Sequence, residues 1–248
     1  MTASVPDPGP SHVAALVLAA GLSSRMGRLK PLLPLGGDTV LAHVVGELRA
    51  AGIDDVRVVV GHRADEVMLA CAALGVRPVL NPDWERGMFS SIRAGVVTLR
   101  ADVAGTLLLP VDVPLVRAAT FATIAAAARK SDPTILRPTF RGERGHPPFL
   151  AARFFPAILA HDGEGGLAAL LARREAETDE IAVVDRAILC DMDRPDDYAR
   201  LAAALPGRRH PEPIECEAIL DAAFASDALR RHLHAVAAFA GALAERLA

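Results

Sequence analysis

The fold class that the sequence predicts is α/β: a mostly parallel sheet covered by helices on both faces. Three observations predict it. Apolar runs at residues 13–18, 56–60 and 105–109 are nearly uninterrupted, as strands buried on both faces must be. Helical stretches separate them, which gives the β-loop-α alternation of parallel sheets. The runs also end in small and polar residues, and open α/β sheets bind ligands beyond their strand C-termini.

Taken in order, the first run leads into residues 18–30, LAAGLSSRMGRLK, where Gly21, Ser23, Ser24, Arg25, Gly27 and Lys30 crowd together. Small side chains let backbone N–H groups approach phosphate oxygens, and the cations neutralise charge. Residues 31–35 read as extended, turned by Gly36-Gly37-Asp38. Thr39 starts an amphipathic helix with Val40, Leu41, Val44, Val45 and Leu48 on one face, and Gly52 stops it. The second strand, 56–60, closes on Gly61-His62-Arg63. A helix over 65–74 ends at Gly75, and residues 77–80 form a third strand. The loop NPDW at 81–84 and the segment GMFSS at 87–91 precede a helix over 92–99. The strand at 105–109 delivers Pro110-Val111-Asp112-Val113-Pro114.

Beyond it an alanine-rich helix runs to about Lys130, followed by a strand at 135–138 and a Gly/Pro-punctuated loop at 142–149. Helices over 151–160 and 167–176, a strand pair at 181–185 and 187–189, and a closing helix over 196–205 complete a domain spanning 13–205. Residues 1–12 are Pro-rich and read as a disordered lead-in. Residues 206–213, PGRRHPEP, read as a linker. Residues 214–248 form a helical appendage too short to bury much surface alone.

Composition bounds the partners. A net charge of −3 argues against a basic nucleic-acid surface. Cys71, Cys190 and Cys216 form no CxxC pair, so neither a disulfide framework nor a zinc site is expected. The N-terminus lacks the basic and apolar regions of a signal peptide, and no apolar run reaches the ~18–20 residues of a membrane helix. A cytoplasmic protein with no membrane partner is the expectation. Lysine occurs only at Lys30 and Lys130, so one of two lysines sits in the glycine-serine loop.

That loop is neither a Walker A nor a GxGxxG motif, because its glycine spacing is one residue too long and Pro31 follows Lys30. It fits a loop that wraps a nucleoside triphosphate, with Arg25 and Lys30 on the phosphates as catalytic cations that stabilise the leaving pyrophosphate. Asp112 ends an apolar strand, where an unpaired carboxylate is costly and a Mg²⁺ ligand is expected; the alternative is a helix cap or an ion pair. Asp191 and Asp193 follow another apolar stretch as a DxD pair, alternate residues that share a face. Asp193 is the second candidate metal ligand, whereas Asp196 and Asp197 cap the next helix. His62 and His146 stand in polar loops, placed to bind substrate or move a proton, or merely to hydrogen-bond locally. Asn81, Ser90 and Ser91 are candidates for the ligand site, Ser90 equally for a helix cap.

Together these segments resemble the MobA-like nucleotidyltransferase family, most closely the molybdenum cofactor cytidylyltransferases. LAAGLSSRMGRLK is similar to the family signature, as are VVVGHRADEV, NPDWERGMFSSIRAG, LLLPVDVPLV, RGERGHPPFL and CDMDRPDDYARL, over residues 13–205. The resemblance implies a three-layer α/β/α sandwich with a Rossmann-like sheet of the nucleotide-diphospho-sugar transferase type. It implies CTP and molybdopterin-bound molybdenum as substrates, with the Ala-Ala-Gly start favouring the cytidylyl relative. By it, Leu18, Ala19, Ala20 and Gly21 contact the nucleotide with Ser23, Arg25 and Lys30 around the triphosphate. Asp112 and Asp193 would hold Mg²⁺, Asp191 would lie on the substrate side, and a molybdenum hydroxylase or its maturation factor is the implied partner.

Two departures stand out. Gly166-Leu167-Ala168 replaces the family's Gly-Ala-Arg, removing a substrate-side arginine. The tail LRRHLHAVAAFAGALAERLA resembles the first helix of an HD-type phosphohydrolase domain with His232 as its first ligand histidine, but the His-Asp pair that such a domain needs is not in the chain. The competing readings are nucleotidyl transfer to a sugar or alcohol phosphate, and a non-catalytic molybdenum cofactor chaperone.

Overall fold

The computed structural model describes residues 12–129, 134–223 and 225–247, which form two compact units, Met1–Pro206 and Gly207–Ala248. The lead-in expected at the N-terminus lies outside the described residues except for His12, which opens the first strand.

The elements of the first unit follow in chain order. Strand β1 (His12–Ala19) is buried almost throughout. The short strands β2 (Pro34–Leu35) and β3 (Asp38–Thr39) pair antiparallel as a separate hairpin. Helix α1 (Val40–Ala50) is capped by the Thr39 hydroxyl, which accepts from Ala42 N at 3.1 Å. Then come β4 (Val56–Val60), α2 (Ala64–Leu74), β5 (Arg77–Leu80), α3 (Met88–Val97), β6 (Val103–Pro110) and α4 (Ala118–Ala128). The second half carries β7 (Ile135–Phe140), β8 (Glu143–Arg144), β9 (Phe149–Ala151), α5 (Phe155–Ala160), α6 (Gly166–Ala172), β10 (Thr178–Ala182) and α7 (Pro195–Ala204).

The main sheet runs β10-β7-β9-β6-β1-β4-β5, with β8 added beside β7. Its pairings are parallel except where β9 inserts antiparallel between β6 and β7 and where β8 joins β7. Helices flank the sheet, so the α/β class and its mostly parallel order follow from the same hydrophobic runs that predict them. Leu16, Val17, Val58, Val59, Leu107 and Leu109 are fully buried and form the middle of the core.

Several segments differ from their sequence reading for identifiable reasons. Residues 187–189 are no strand: Asp185 accepts from Ala187 N at 3.2 Å and winds Arg186–Leu189 into a 3-10 turn. The expected strand at 181–185 is instead β10, which starts at Thr178 and ends at Ala182. The expected loop at 142–149 hides β8 and the start of β9. Because Ala151 belongs to β9 and a 3-10 turn follows at Ala152–Phe154, the helix expected from 151 starts only at Phe155. Gly105 marks the β6–β9 crossing, since a Cβ there would meet the backbone of Ala151 at 2.8 Å. Residues 30–32 form a 3-10 turn rather than extended chain, and the helix expected to reach about Lys130 ends at Ala128, Lys130 lying outside the described residues.

In the second unit, α8 (Pro213–Ala222) and α9 (Asp227–Leu247) are joined by Arg230 to Asp221 at 2.8 Å and His234 to Glu217 at 2.6 Å. A 3-10 turn, Leu205–Arg209, occupies the start of the expected linker. Among the described residues no helix is long and apolar enough to cross a membrane.

Candidate active site

The strand ends of β1, β4 and β6 are stitched together by backbone hydrogen bonds. His62 N donates to Ala20 O at 3.0 Å, Asn81 N to Val60 O at 2.8 Å, and Val111 N to Leu18 O at 3.1 Å. Met192 N reaches Asp112 O at 2.8 Å and brings the acidic segment 191–193 to the same edge. A cleft of about 570 Å³ opens over these ends, a volume suited to a small-molecule ligand. Leu18, Ala19, Ala20, Gly21, Ser23, Lys30, Ser91 and Asp112 are among its lining residues.

The loop after β1 holds its shape through Ser23. Its φ of 54° is left-handed, unusual for a residue with a side chain, and its carbonyl accepts from both Met26 N and Gly27 N at 3.1 Å. Its hydroxyl accepts from Lys30 N at 3.3 Å, so the serine also fixes where the lysine departs.

Lys30 is the centre of the charge arrangement. Its side chain is only 11% exposed, and Nζ donates to Asp112 Oδ2 at 2.9 Å and to Asp193 Oδ1 at 2.8 Å. Arg25 Nη1 donates to the other oxygen, Asp193 Oδ2, at 2.7 Å. Burial alone would lower the lysine pKa, but the bonds and charges of Asp193 and Asp112 outweigh it and hold the ammonium above 10.5. Conversely the hydrogen bond from Lys30, with its charge and that of Arg25, holds the Asp193 carboxyl below its usual value. Asp191 goes the other way: burial and its neighbours Asp193 and Asp112 raise it.

Two carboxylates converging on one cation-sized point are a donor set that fits Mg²⁺, which takes one or two carboxylates and fills its octahedron with phosphate and water oxygens. Among the described residues no cluster of three or more His, Cys, Asp or Glu forms a metal cage, so the remaining ligands would come from substrate.

The other sequence candidates are spread around this centre. Asn81 does not line the cleft: it is buried, and its Nδ2 donates to Ser90 Oγ at 2.8 Å and Ser91 Oγ at 3.0 Å while its Oδ1 accepts from Asp83 N at 3.0 Å. It fixes the turn that carries Trp84 and the start of α3. Ser90, beside it, donates to Gly87 O at 2.8 Å across the first turn of α3. His62 packs its ring against Trp84 with centroids 5.3 Å apart, at the edge of the cleft. His146 stands apart, on the β8–β9 connection; crowding by the surrounding protein pushes its imidazole below 6.5, against the pull of Asp112 and Asp191.

Trp84, Glu85, Gly87 and Met88 also line the cleft and were not singled out by sequence. Trp84 is the only tryptophan in the chain and stands in a strand-end loop, a signal that was there to be read. Gly87 adopts φ 92°, ψ 178°, a conformation open only to glycine, and starts α3 beside the cleft, its carbonyl accepting from Ser90 N at 3.1 Å.

The MobA-like NTP transferase domain profile matches residues 15–180. The chain is 46% identical over 94 residues to a bifunctional IPC transferase and DIPP synthase of Rubrobacter xylanophilus, covering 36% of this chain and 22% of that protein. It is 42% identical over 91 residues to a CMP-5'-(3-aminopropyl)phosphonate synthase of Streptomyces rubellomurinus, covering 33% of this chain and 14% of that one. The chain thus spans less than a quarter of the length of either relative. Among solved structures, Rv0371c of Mycobacterium tuberculosis H37Rv superposes with a TM-score of 0.69 at 30% identity, covering 78% of this chain and 98% of that one; a further structure of that protein is its complex with manganese. The profile covers most of the fold and the strand-end loops that shape the cleft, and on that match the chain belongs to the MobA-like NTP transferase family and is a nucleotidyltransferase.

Proposed function

We propose that the domain at residues 13–205 transfers CMP from CTP to the terminal phosphate of molybdopterin-bound molybdenum, releasing pyrophosphate, with Mg²⁺ as its metal. An acceptor phosphate oxygen attacks the α-phosphorus of CTP as the bond to the β-phosphate oxygen breaks. The observation that carries this reading is Lys30 held between Asp112 and Asp193, with Arg25 on the second carboxylate. Asp112 and Asp193 would hold the metal; bound there, Mg²⁺ would neutralise charge shared between nucleotide and acceptor. Lys30 and Arg25 then turn to the β- and γ-phosphates, and Ser23 fixes the loop from which they project. Leu18, Ala19, Ala20, Gly21 and Ser91 would contact the nucleotide. The chemistry is positioning and charge neutralisation, with no covalent intermediate on the protein.

In this reading the protein works in the cytoplasm and delivers its product to a molybdenum hydroxylase or its maturation factor, with residues 206–213 as linker and 214–248 as appendage. A second reading, CMP transfer to another phosphate or phosphonate, is favoured by the similarity to a protein named for making a CMP-phosphonate. Pyrophosphate release separates them: each NTP is offered with Mg²⁺ and molybdopterin-bound molybdenum, a sugar phosphate or an alkylphosphonate. Turnover with CTP and molybdopterin supports the first reading, and turnover only with the other acceptors replaces it by the second.

A further inference from the structure

Lys30 Nζ stands at the point on which two carboxylates converge, 2.9 Å from Asp112 Oδ2 and 2.8 Å from Asp193 Oδ1. The chain around it fixes that position. Lys30 opens the 3-10 turn Lys30–Leu32, Ser23 Oγ accepts from its N–H at 3.3 Å, and its neighbours Leu29 and Pro31 are buried. Arg25 holds the second Asp193 oxygen from a far more exposed place. Ligands can reach the lysine from two directions. It lines the 570 Å³ cleft together with Asp112, and it lines a smaller cleft of about 210 Å³ together with Ser24, Arg25 and Asp193.

A Mg²⁺-sized cation bound by the same two oxygens would sit about 2.1 Å from each. That position nearly coincides with Nζ, so ammonium and metal exclude each other by volume and by like charge. Two carboxylate oxygens also leave an octahedral ion short of ligands, and among the described residues no third acidic, His or Cys side chain completes the set. A triphosphate changes both conditions. Its oxygens are new acceptors for Lys30 and Arg25, and they supply the ligands that the metal lacks.

We propose that Lys30 is an internal counter-cation that keeps a divalent metal out of the Asp112–Asp193 site until a nucleoside triphosphate draws the lysine away. Metal and nucleotide then bind as a coupled pair, and by linkage each raises the affinity of the other by the same factor. The inference rests on Asp112 and Asp193 being the metal ligands, as in the reading above. It adds to the phosphate-binding role of Lys30 a control over when the metal enters.

The test measures Mn²⁺ binding without nucleotide, from the electron paramagnetic resonance of the free ion. Mn²⁺ is the ion in the complex of a structurally similar protein. Wild type is compared with Lys30→Met, with the double variant Lys30→Met/Asp112→Asn, and with Arg28→Gln. The last removes one exposed positive charge from the same loop and none of the bonds to Asp112 or Asp193. Wild type and Arg28→Gln are expected to bind Mn²⁺ weakly, and Lys30→Met to bind it about tenfold or more tightly than either. The double variant falls back to wild-type affinity or below. Lys30→Gln, neutral but still able to donate to a carboxylate, gives a smaller gain of the same sign and decides the matter if the methionine variant does not fold. In thermal melts Mn²⁺ alone raises the melting temperature of Lys30→Met and not that of wild type, which responds only when CTP is added as well.

The proposal is overturned if wild type binds Mn²⁺ as tightly as Lys30→Met, if Arg28→Gln gains as much, or if the gain survives Asp112→Asn. Absence of Mn²⁺ binding in every variant overturns it together with the two metal carboxylates. A gain confined to Lys30→Met and lost with Asp112, without pyrophosphate release from CTP, keeps the inference and removes the CMP-transfer reading. Pyrophosphate release by a wild type whose Mn²⁺ affinity is indifferent to Lys30 does the opposite.

Discussion

Replacing Lys30 with methionine tests the charge centre in stability and chemistry at once. The substitution removes two charge-assisted hydrogen bonds, at 2.9 and 2.8 Å, each worth about 1.5–3 kcal/mol when shielded from water. It leaves Asp112 without its ammonium partner and Asp193 with only the exposed Arg25 guanidinium. Their side chains are 24% and 39% exposed, so water recovers much of the loss, and the methionine stem packs as well as the lysine stem. The net is about 1–2 kcal/mol, or roughly 2–8 °C in melting temperature for a domain of this size.

The pH dependence has a definite sign. The folded pKa of Asp193 lies below its ordinary 3.8, so its contribution is present above that value and is lost as pH falls through the lowered one. The folded pKa of Lys30 lies above 10.5, so its contribution is present below that value and disappears as pH rises through the raised one. The difference between wild type and Lys30→Met should therefore be flat from about pH 5 to 9 and shrink below pH 3.8. Urea unfolding followed by circular dichroism measures it, and pyrophosphate release should fall about 10²- to 10³-fold in the same variant. Unchanged stability at pH 7, or activity within threefold of wild type, would refute the assignment of Lys30.

Further predictions address the surroundings of that centre. Asp185 is buried and accepts from Arg117 N and Thr120 Oγ1 at 2.8 Å each, so Asp185→Ala should cost about 2–4 kcal/mol in urea unfolding, and full stability would contradict a structural role. A methyl group at Gly61 would meet Trp84 Cβ at 2.5 Å and Ala20 Cβ at 2.9 Å. Gly61→Ala should thus destabilise by about 1–3 kcal/mol and raise KM for CTP; an unchanged KM would mean that the wall of the cleft yields freely. Because Trp84 is the only tryptophan and lines the cleft, CTP titration should change its emission saturably, and a flat signal would place the nucleotide elsewhere.

Much of this was legible in the sequence, and the part that was not has physical reasons. Strands β1, β4 and β6 announce themselves because both faces are buried and their runs are almost wholly apolar, broken inside only by the buried Arg57 and Thr106. The glycine-serine loop and Asp112 follow from their place at strand ends. The segment 187–189 misleads because Ala-Ile-Leu is as apolar as a strand, while its conformation is decided by the Asp185 carboxylate bonding Ala187 N. β9 is hidden by the prolines before it and by its antiparallel pairing, which the βαβ rhythm does not announce. Asn81 attracts notice as a polar strand-end residue, yet its amide is spent on Ser90, Ser91 and Asp83.

The most direct test of the two-carboxylate site is pyrophosphate release from CTP with molybdopterin-bound molybdenum, with and without a divalent cation, in wild type, Asp112→Asn and Asp193→Asn. The arrangement around Lys30 predicts release that requires the cation and falls about a hundredfold or more in both variants, while each variant still folds. Release that persists in a chelator, or that both variants sustain at the wild-type rate, would contradict it.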